Sequence, residues 1–223
     1  MGNKNKKKQA PKVEARALRS YAIPDIRADK DGQNIEGHPA VFDQETVIGG
    51  YFREIIERGA FNDTDFKDVV LSANHDLRKI PLARSRRNNP NSTMQLFTDE
   101  TGLFMRANLD TENNSEAKKL MSAINRGDLD DMSFIFFIRD EEWEDLDTDM
   151  PLRRIKSISK VIEVSAVNWG AYSGTDINAR DAADTLENAK KALESAKSQG
   201  DAGESRSNEL ELLKLKAQAK VKG

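Results

Sequence analysis

The sequence contains no cysteine, which excludes disulfide bonds, thiol nucleophiles and thiolate metal sites. This lack also fits a reducing compartment such as a cytoplasm. No apolar run approaches the roughly 20 residues that a membrane-spanning helix requires. The first ten residues, MGNKNKKKQA, have no apolar stretch of the kind found in signal peptides. We therefore expect neither secretion nor a membrane partner.

An excess of one charge is also missing, because 35 basic residues face 38 acidic ones and the net charge is −3. No global field directs the chain to nucleic acids or to membrane surfaces. Aromatic residues make up 6% of the chain, and no motif combines basic and aromatic residues. A nucleic-acid-binding role through the lysine-rich N-terminus stays open as the least favoured interpretation.

The composition divides the 223 residues into three parts. Residues 1–15 are polar and rich in lysine, which predicts a disordered basic arm. Residues 16–177 alternate short apolar runs with turn residues and form the predicted domain. From residue 178, apolar residues recur at spacings of four and three, as in a short heptad pattern: Ala182, Leu186, Ala189, Leu193 and Ala196. Residues 178–223 are therefore predicted to be a helical, scaffold-like extension.

The central part predicts a mainly β fold, a sandwich or a barrel, with peripheral helix. Its apolar runs indicate strands at 17–23, 36–42, 51–57, 68–73, 80–85, 93–98, 102–109, 131–139, 152–157 and 160–167. One helix is predicted between Asn113 or Ser115, as the N-cap, and Gly127, with an apolar face of Ala117, Leu120, Met121 and Ile124. Residues 140–149 carry seven acids and are predicted to form a solvated acidic loop rather than a metal site.

Three residues in or next to the predicted strands have side chains of the kinds that serve as base, nucleophile and orienting carboxylate in hydrolases. His75 follows an apolar run, Ser133 begins an otherwise apolar strand, and Glu163 lies within the run VIEVSAV. A carboxylate in an apolar strand needs a partner, for which an imidazole or an arginine is suitable. A serine attacks peptides only with a base to take its proton, and a carboxylate then orients that base. Taken singly, the histidine and the serine fit a structural role better than a catalytic one, and Glu163 fits a pair with Arg153 or Arg154. His38 and Ser165 are alternatives for the base and the nucleophile.

The order of several short motifs resembles the prohead proteases of tailed bacteriophages over about residues 18–180. The matching segments are GHPAVF at 37–42, EIIERGAF at 54–61, NHD at 74–76, IPLAR at 80–84, TGL at 101–103, GDLDDMSF at 127–134 and IEVSAV at 162–167. The resemblance implies that Ser133 is the nucleophile, His75 the general base and Glu163 the third catalytic member. It implies a herpesvirus-protease-like fold, a closed antiparallel β-barrel with helices around it.

The resemblance further implies a serine endopeptidase without cofactor or metal, which acts inside the assembling prohead in the host cytoplasm. Its expected substrates are the major capsid protein, scaffold segments and itself, and self-association as a dimer or larger is expected from that fold. The chain departs from the family pattern in three places: Ile135 stands where the family has glycine two residues after the serine, Ala83 replaces the glycine of the family's PLG, and Asn168-Trp169 follows the glutamate strand where the family often has Pro-Ala. The alternative is therefore a non-catalytic capsid assembly factor with a decayed protease domain.

Overall fold

The computed structural model describes residues 15–21, 25–29, 32–168 and 187–198. The predicted basic arm up to residue 14, the boundary at 177–178 and the end of the extension from residue 199 lie outside the described residues. Within the described ranges, no helix combines the length and the apolar character needed to span a membrane.

Strands dominate the described residues, as the sequence predicts. The strands are β1 (Ala15–Tyr21), β2 (Arg27–Ala28), β3 (Asn34–Val41), β4 (Thr46–Ile48), β5 (Phe52–Ile56), β6 (Val70–Ala73), β7 (Ala83–Arg84), β8 (Met94–Thr98), β9 (Gly102–Asn108), β10 (Asp131–Glu144) and β11 (Leu152–Val167). Helix α1 (Ser115–Arg126) lies between β9 and β10, and residues 187–198 form a second helix, α2.

The larger sheet is built on the long antiparallel hairpin of β10 and β11, with β1 on the outer side of β10. On its other side, β11 pairs in parallel with two different strands. Its first residues pair with β5, and its last residues, Glu163–Ala166, pair with β6. The N-terminal end of β10, the C-terminal end of β11 and the end of β6 therefore meet at one end of the sheet.

The smaller sheet has the antiparallel order β2-β3-β9-β8. Among the described strands, neither sheet returns to its first strand, so the closed barrel stays a prediction. Apolar side chains of both sheets and of α1 form one shared core, which includes Leu103, Leu120, Phe134 and Val164. Because side chains alternate along a strand, the neighbours of Phe134 and Val164 project from the opposite face of the larger sheet.

Helix α1 buries the predicted face of Ala117, Leu120, Met121 and Ile124 and ends at Gly127, which has the left-handed φ of 72°. Its N-cap differs from the prediction. The cap is Asn114, whose side chain accepts hydrogen bonds from the backbone N–H groups of Glu116 and Ala117. Asn113 instead donates to Asp110, and Ser115 is already the first helical residue. Neighbouring capping residues of similar chemistry made this one-residue error possible.

The predicted acidic loop is in part strand, since β10 continues to Glu144. The acids of this segment lie opposite basic residues of β11, and the cross-strand pairs are Glu141 with Arg153, Glu144 with Arg154, and Glu142 with Lys156. Opposite charges on neighbouring strands support pairing where apolar alternation has ended.

Candidate active site

Three serines form a row across the larger sheet. Ser133 of β10 is paired with Ser165 of β11, and Ser165 is paired with Ser72 of β6. Residues directly opposite one another on neighbouring strands project from the same face. Glu163, two residues before Ser165, shares this face. Three hydroxyl groups and one carboxylate therefore lie together on the face opposite the main core, and all four residues are buried.

His75 reaches this row through a tight turn at the end of β6. Asn74 and His75 both have left-handed backbone conformations, with φ values of 51° and 57°, which residues other than glycine seldom adopt. The turn is fixed to β11 at two points, since Asn74 N–H donates to the Ala166 carbonyl (2.9 Å) and His75 N–H donates to Ser165 Oγ (2.9 Å). This geometry folds the imidazole ring back over the sheet.

The imidazole bridges a hydroxyl and a carboxylate. His75 Nε2 lies 2.7 Å from Ser133 Oγ, and His75 Nδ1 lies 2.8 Å from Glu163 Oε2. An ionised carboxylate can only accept, so the pairing places the ring proton on Nδ1 and leaves the Nε2 lone pair to accept from the serine hydroxyl. His75 is 4% exposed, and Ser133 and Glu163 have no exposed surface.

The second oxygen of the carboxylate is also occupied, because Ser72 Oγ donates to Glu163 Oε1. Glu163 thus has one donor on each oxygen, which satisfies the requirement that a buried carboxylate be hydrogen-bonded. The arrangement is that of a hydroxyl nucleophile, a base of the correct tautomer and a carboxylate that orients the base.

The caudovirus prohead serine protease family model matches residues 22–192, more than half of the chain. The chain belongs to this family. It is similar in structure to the capsid assembly protease gp21 of bacteriophage T4, with a TM-score of 0.38 and 13% identity over 70% of this chain and 99% of that one. No curated protein matches the chain.

In this prohead protease family member, two of the three residues named from the sequence, Ser133 and Glu163, each lie within hydrogen-bond distance of the third, His75. The two alternatives lie elsewhere or have other contacts. His38 is on β3 of the smaller sheet and bonds to Asp25 (2.5 Å) and Asp99 (3.0 Å). Ser165 lies beside Glu163, but its hydroxyl contacts the His75 main chain, Ser72 and the Ala166 carbonyl rather than an imidazole nitrogen.

Ser72 is the site residue that the sequence analysis missed. Its signal was a polar residue that ends the apolar run Val69–Leu71, three positions before His75. Such a serine is common at strand ends, so the sequence alone does not mark it as a site residue. The pairing of β6 with β11 is what places its hydroxyl beside Glu163. Among the described residues, no cluster of three or more histidine, aspartate or glutamate side chains is placed to hold a metal ion.

A cavity of about 600 Å³ adjoins this network. Ser72 and Ala73 of β6 form part of its wall, Asp76 and Lys79 come from the segment after the histidine, and the start of α1 closes the other side. Ser72 therefore contacts Glu163 and also lines the cavity.

Proposed function

We propose that this chain is the serine endopeptidase of phage head maturation, with Ser133 as nucleophile, His75 as general base and Glu163 as the orienting carboxylate. The observation that carries the proposal is the hydrogen-bonded path from Ser133 Oγ through both nitrogens of His75 to Glu163. Membership of the prohead serine protease family supports the reaction class.

In the first half of the reaction, the Ser133 hydroxyl proton passes to His75 Nε2 while Oγ bonds to the carbonyl carbon of the scissile peptide. The C–N bond then breaks, and the leaving amine takes the proton from His75 Nε2. In the second half, water gives a proton to the same nitrogen and attacks the ester carbonyl. Ser133 recovers its proton and the new carboxyl product leaves. Glu163 remains ionised throughout and stabilises the imidazolium.

The proposed substrates are the major capsid protein, scaffold segments and the enzyme itself, cut inside the assembling prohead in the host cytoplasm. The family description supports this setting, since a prohead protease acts on a particle before maturation. The extension from residue 178 is proposed to bind scaffold or capsid protein, and the closed barrel and self-association remain parts of the same proposal. Because Ser133 has no exposed surface, neighbouring residues must move before a peptide reaches it.

The direct test is co-expression with the major capsid protein of the same phage, followed by intact-mass measurement. We expect shortened capsid protein and self-clipped enzyme with the wild type and neither with Ser133→Ala. Ser159→Ala is the matched control, because Ser159 is a buried serine of β11 that donates to the Phe137 carbonyl, away from the triad. Capsid protein processed equally by Ser133→Ala would refute the assignment of the nucleophile.

A second candidate is a non-catalytic capsid assembly factor. The burial of Ser133 and of Ile135, which is 1% exposed beside it, favours this alternative. A fluorophosphonate probe separates the two. Covalent labelling of Ser133 in the wild type supports the protease, whereas assembly of particles without labelling and without cleavage supports the assembly factor.

A further inference from the structure

The hydrogen bonds around the candidate triad close into a ring. From the His75 side chain, the path runs through Nδ1 to Glu163 and from the other oxygen of Glu163 to Ser72 Oγ. Ser72 Oγ lies 3.0 Å from Ser165 Oγ, and Ser165 Oγ lies 2.9 Å from the backbone nitrogen of His75. The two serines therefore connect the carboxylate that orients the histidine ring to the main chain that carries it.

The direction of each hydrogen bond follows from the number of available protons. Ser72 has one hydroxyl proton, and the carboxylate of Glu163 requires it. The hydroxyl of Ser165 must therefore donate to Ser72 Oγ, since the Ala166 carbonyl is farther away at 3.5 Å. Ser165 Oγ in turn accepts from His75 N–H. Each of the two hydroxyls therefore donates once and accepts once, and the ring of hydrogen bonds is complete.

This ring of hydrogen bonds stabilises two features that would otherwise be energetically unfavourable. One is the buried carboxylate, which would lose a charge-assisted hydrogen bond if Ser72 had no hydroxyl. The other is the left-handed backbone of His75, which costs free energy and persists only where its surroundings hold it. Ser165 provides such a contact from the neighbouring strand, and the register of β6, β11 and β10 places it at the centre of the serine row.

We propose that Ser72 and Ser165 are positioning residues of this protease: Ser72 orients the Glu163 carboxylate, and Ser165 holds the His75 backbone and fixes the proton of Ser72. This inference rests on the proposed function for its catalytic consequence. Neither serine touches the reacting atoms. They act on the reaction by holding His75 in place, which sets the distance and angle between His75 Nε2 and the Ser133 hydroxyl whose proton it receives.

The test compares full-length Ser72→Ala and Ser165→Ala with the wild type in the rate of Ser133 labelling by a fluorophosphonate. We expect each labelling rate to fall roughly 10- to 100-fold, the range set by losing one hydrogen bond to a charged or precisely placed group. Ser72→Thr and Ser165→Thr keep the hydroxyl and suit a strand, so they should recover most of the rate.

A second readout reports the geometry without requiring activity. In proton NMR, the imidazole Nδ1–H that bonds to Glu163 should give a strongly downfield resonance in the wild type. We expect this resonance to shift or disappear in both alanine variants and to return in the threonine variants.

The matched control is Ser85→Ala, because Ser85 is fully buried and its hydroxyl donates to the Phe66 carbonyl and accepts from Val69 N–H. It should lower thermal stability as much as the site variants while leaving the labelling rate and the downfield resonance unchanged.

The outcomes separate the two proposals. If Ser72→Ala and Ser165→Ala label at the wild-type rate and keep the downfield resonance, the positioning role is wrong while the protease stands. If the wild type labels no more than Ser133→Ala does, the proposed function fails, and the resonance alone then decides whether the serines position His75. Loss of the resonance in Ser85→Ala as well would also overturn the inference, because any buried serine would then have the same effect.

Discussion

At the scale of single residues, Glu163 shows how a buried carboxylate depends on the hydrogen bonds that it accepts. It has no exposed surface, lies in an apolar strand, and accepts hydrogen bonds from both Ser72 and His75. A buried carboxylate is tolerated only with such partners. Its position is thus better suited to orienting a histidine than to stabilising the sheet.

Replacing Glu163 with glutamine tests this interpretation. The amide is nearly isosteric, but it can donate to His75 Nδ1 and so favour the tautomer that cannot accept the Ser133 proton. We expect the labelling rate of Ser133 to fall by about 10²- to 10⁴-fold. The free energy of unfolding in urea should hold steady or rise, since a neutral amide is easier to bury than a carboxylate. An unchanged labelling rate would exclude Glu163 from the triad.

His38 illustrates how a histidine of this chain serves structure instead. Burial acts to lower the pKa of His38, but hydrogen bonds and charge interactions with Asp25 and Asp99 outweigh it and raise that pKa above the ordinary value of 6.5. The ring also packs edge-on against Phe104, with the ring centroids 5.0 Å apart. The imidazole therefore joins the segment before β2 to the turn between β8 and β9.

The pH dependence of stability follows from the direction of this shift. Because the folded pKa lies above the unfolded one, the contribution of His38 is fully present below about pH 6.5 and is lost as the pH rises through the folded pKa. Urea unfolding of the wild type from about pH 6 to about pH 9 should show this decline, and His38→Gln should lack it. Asp99→Asn should reduce the decline, and equal slopes in the wild type and His38→Gln would contradict the assignment.

The resemblance of short motifs was sufficient to propose His75, Ser133 and Glu163 as candidates that the fold brings together, because residue types and their order can be read along the chain. The partners of these residues could not be named in the same way. Ser72 acquires its role from the register in which β6 pairs with β11, which leaves no periodic signal in the sequence.

At the scale of secondary-structure elements, the far end of the β10–β11 hairpin is held by a buried ion cluster. Arg153 is 2% exposed, and its guanidinium contacts Glu141 and lies 3.2 Å from the fully buried Glu54 of β5. It also lies 5.4 Å from the ring centroid of Trp143. The cluster thus joins three strands of the larger sheet where β5 pairs with β11.

Arg153→Met should destabilise the fold, because it leaves the Glu54 carboxylate buried without its cationic partner. We expect the free energy of unfolding to fall by about 3–5 kcal/mol, measured by urea denaturation. Lys156→Met is the matched control on the same strand, since its pair with Glu142 is solvent-exposed and should contribute little. Similar losses in the two variants would show that burial is not the reason for the effect.

Periodicity predicted most strands and α1 correctly, because apolar alternation and capping residues are local signals. Periodicity fails where pairing depends on charges across a hairpin, as at residues 140–144, for which it predicts a loop although β10 continues to Glu144. It also missed β2 and β4, whose two and three residues are too short to show a pattern. The break expected between 157 and 160 is absent, because β11 is continuous while its neighbour changes from β5 to β6.

At the scale of the whole molecule, α2 packs against the domain rather than standing apart from it. Ala189 is 3% exposed in a small apolar cluster with Ile48 and Phe52, and Trp143 and Leu193 pack against this cluster. The predicted heptad positions 189 and 193 therefore face the chain's own sheet. This docking surface, formed by Ile48, Phe52 and Trp143, lies at the opposite end of the hairpin from Ser133.

Releasing α2 should consequently expose Trp143 without disturbing the triad. Ala189→Asp places a charge in the apolar cluster and should detach the helix. In a Trp169→Phe background, where Trp143 is the remaining tryptophan of the two in the chain, we expect its emission to shift to the red and its quenching by acrylamide to increase.

Lys197→Asp adds the same acid on an exposed position of α2 and should change neither signal. Fluorophosphonate labelling of Ser133 should stay at the wild-type rate in both variants. A large loss of labelling in Ala189→Asp alone would mean that α2 docking is coupled to the active site along the full length of β10.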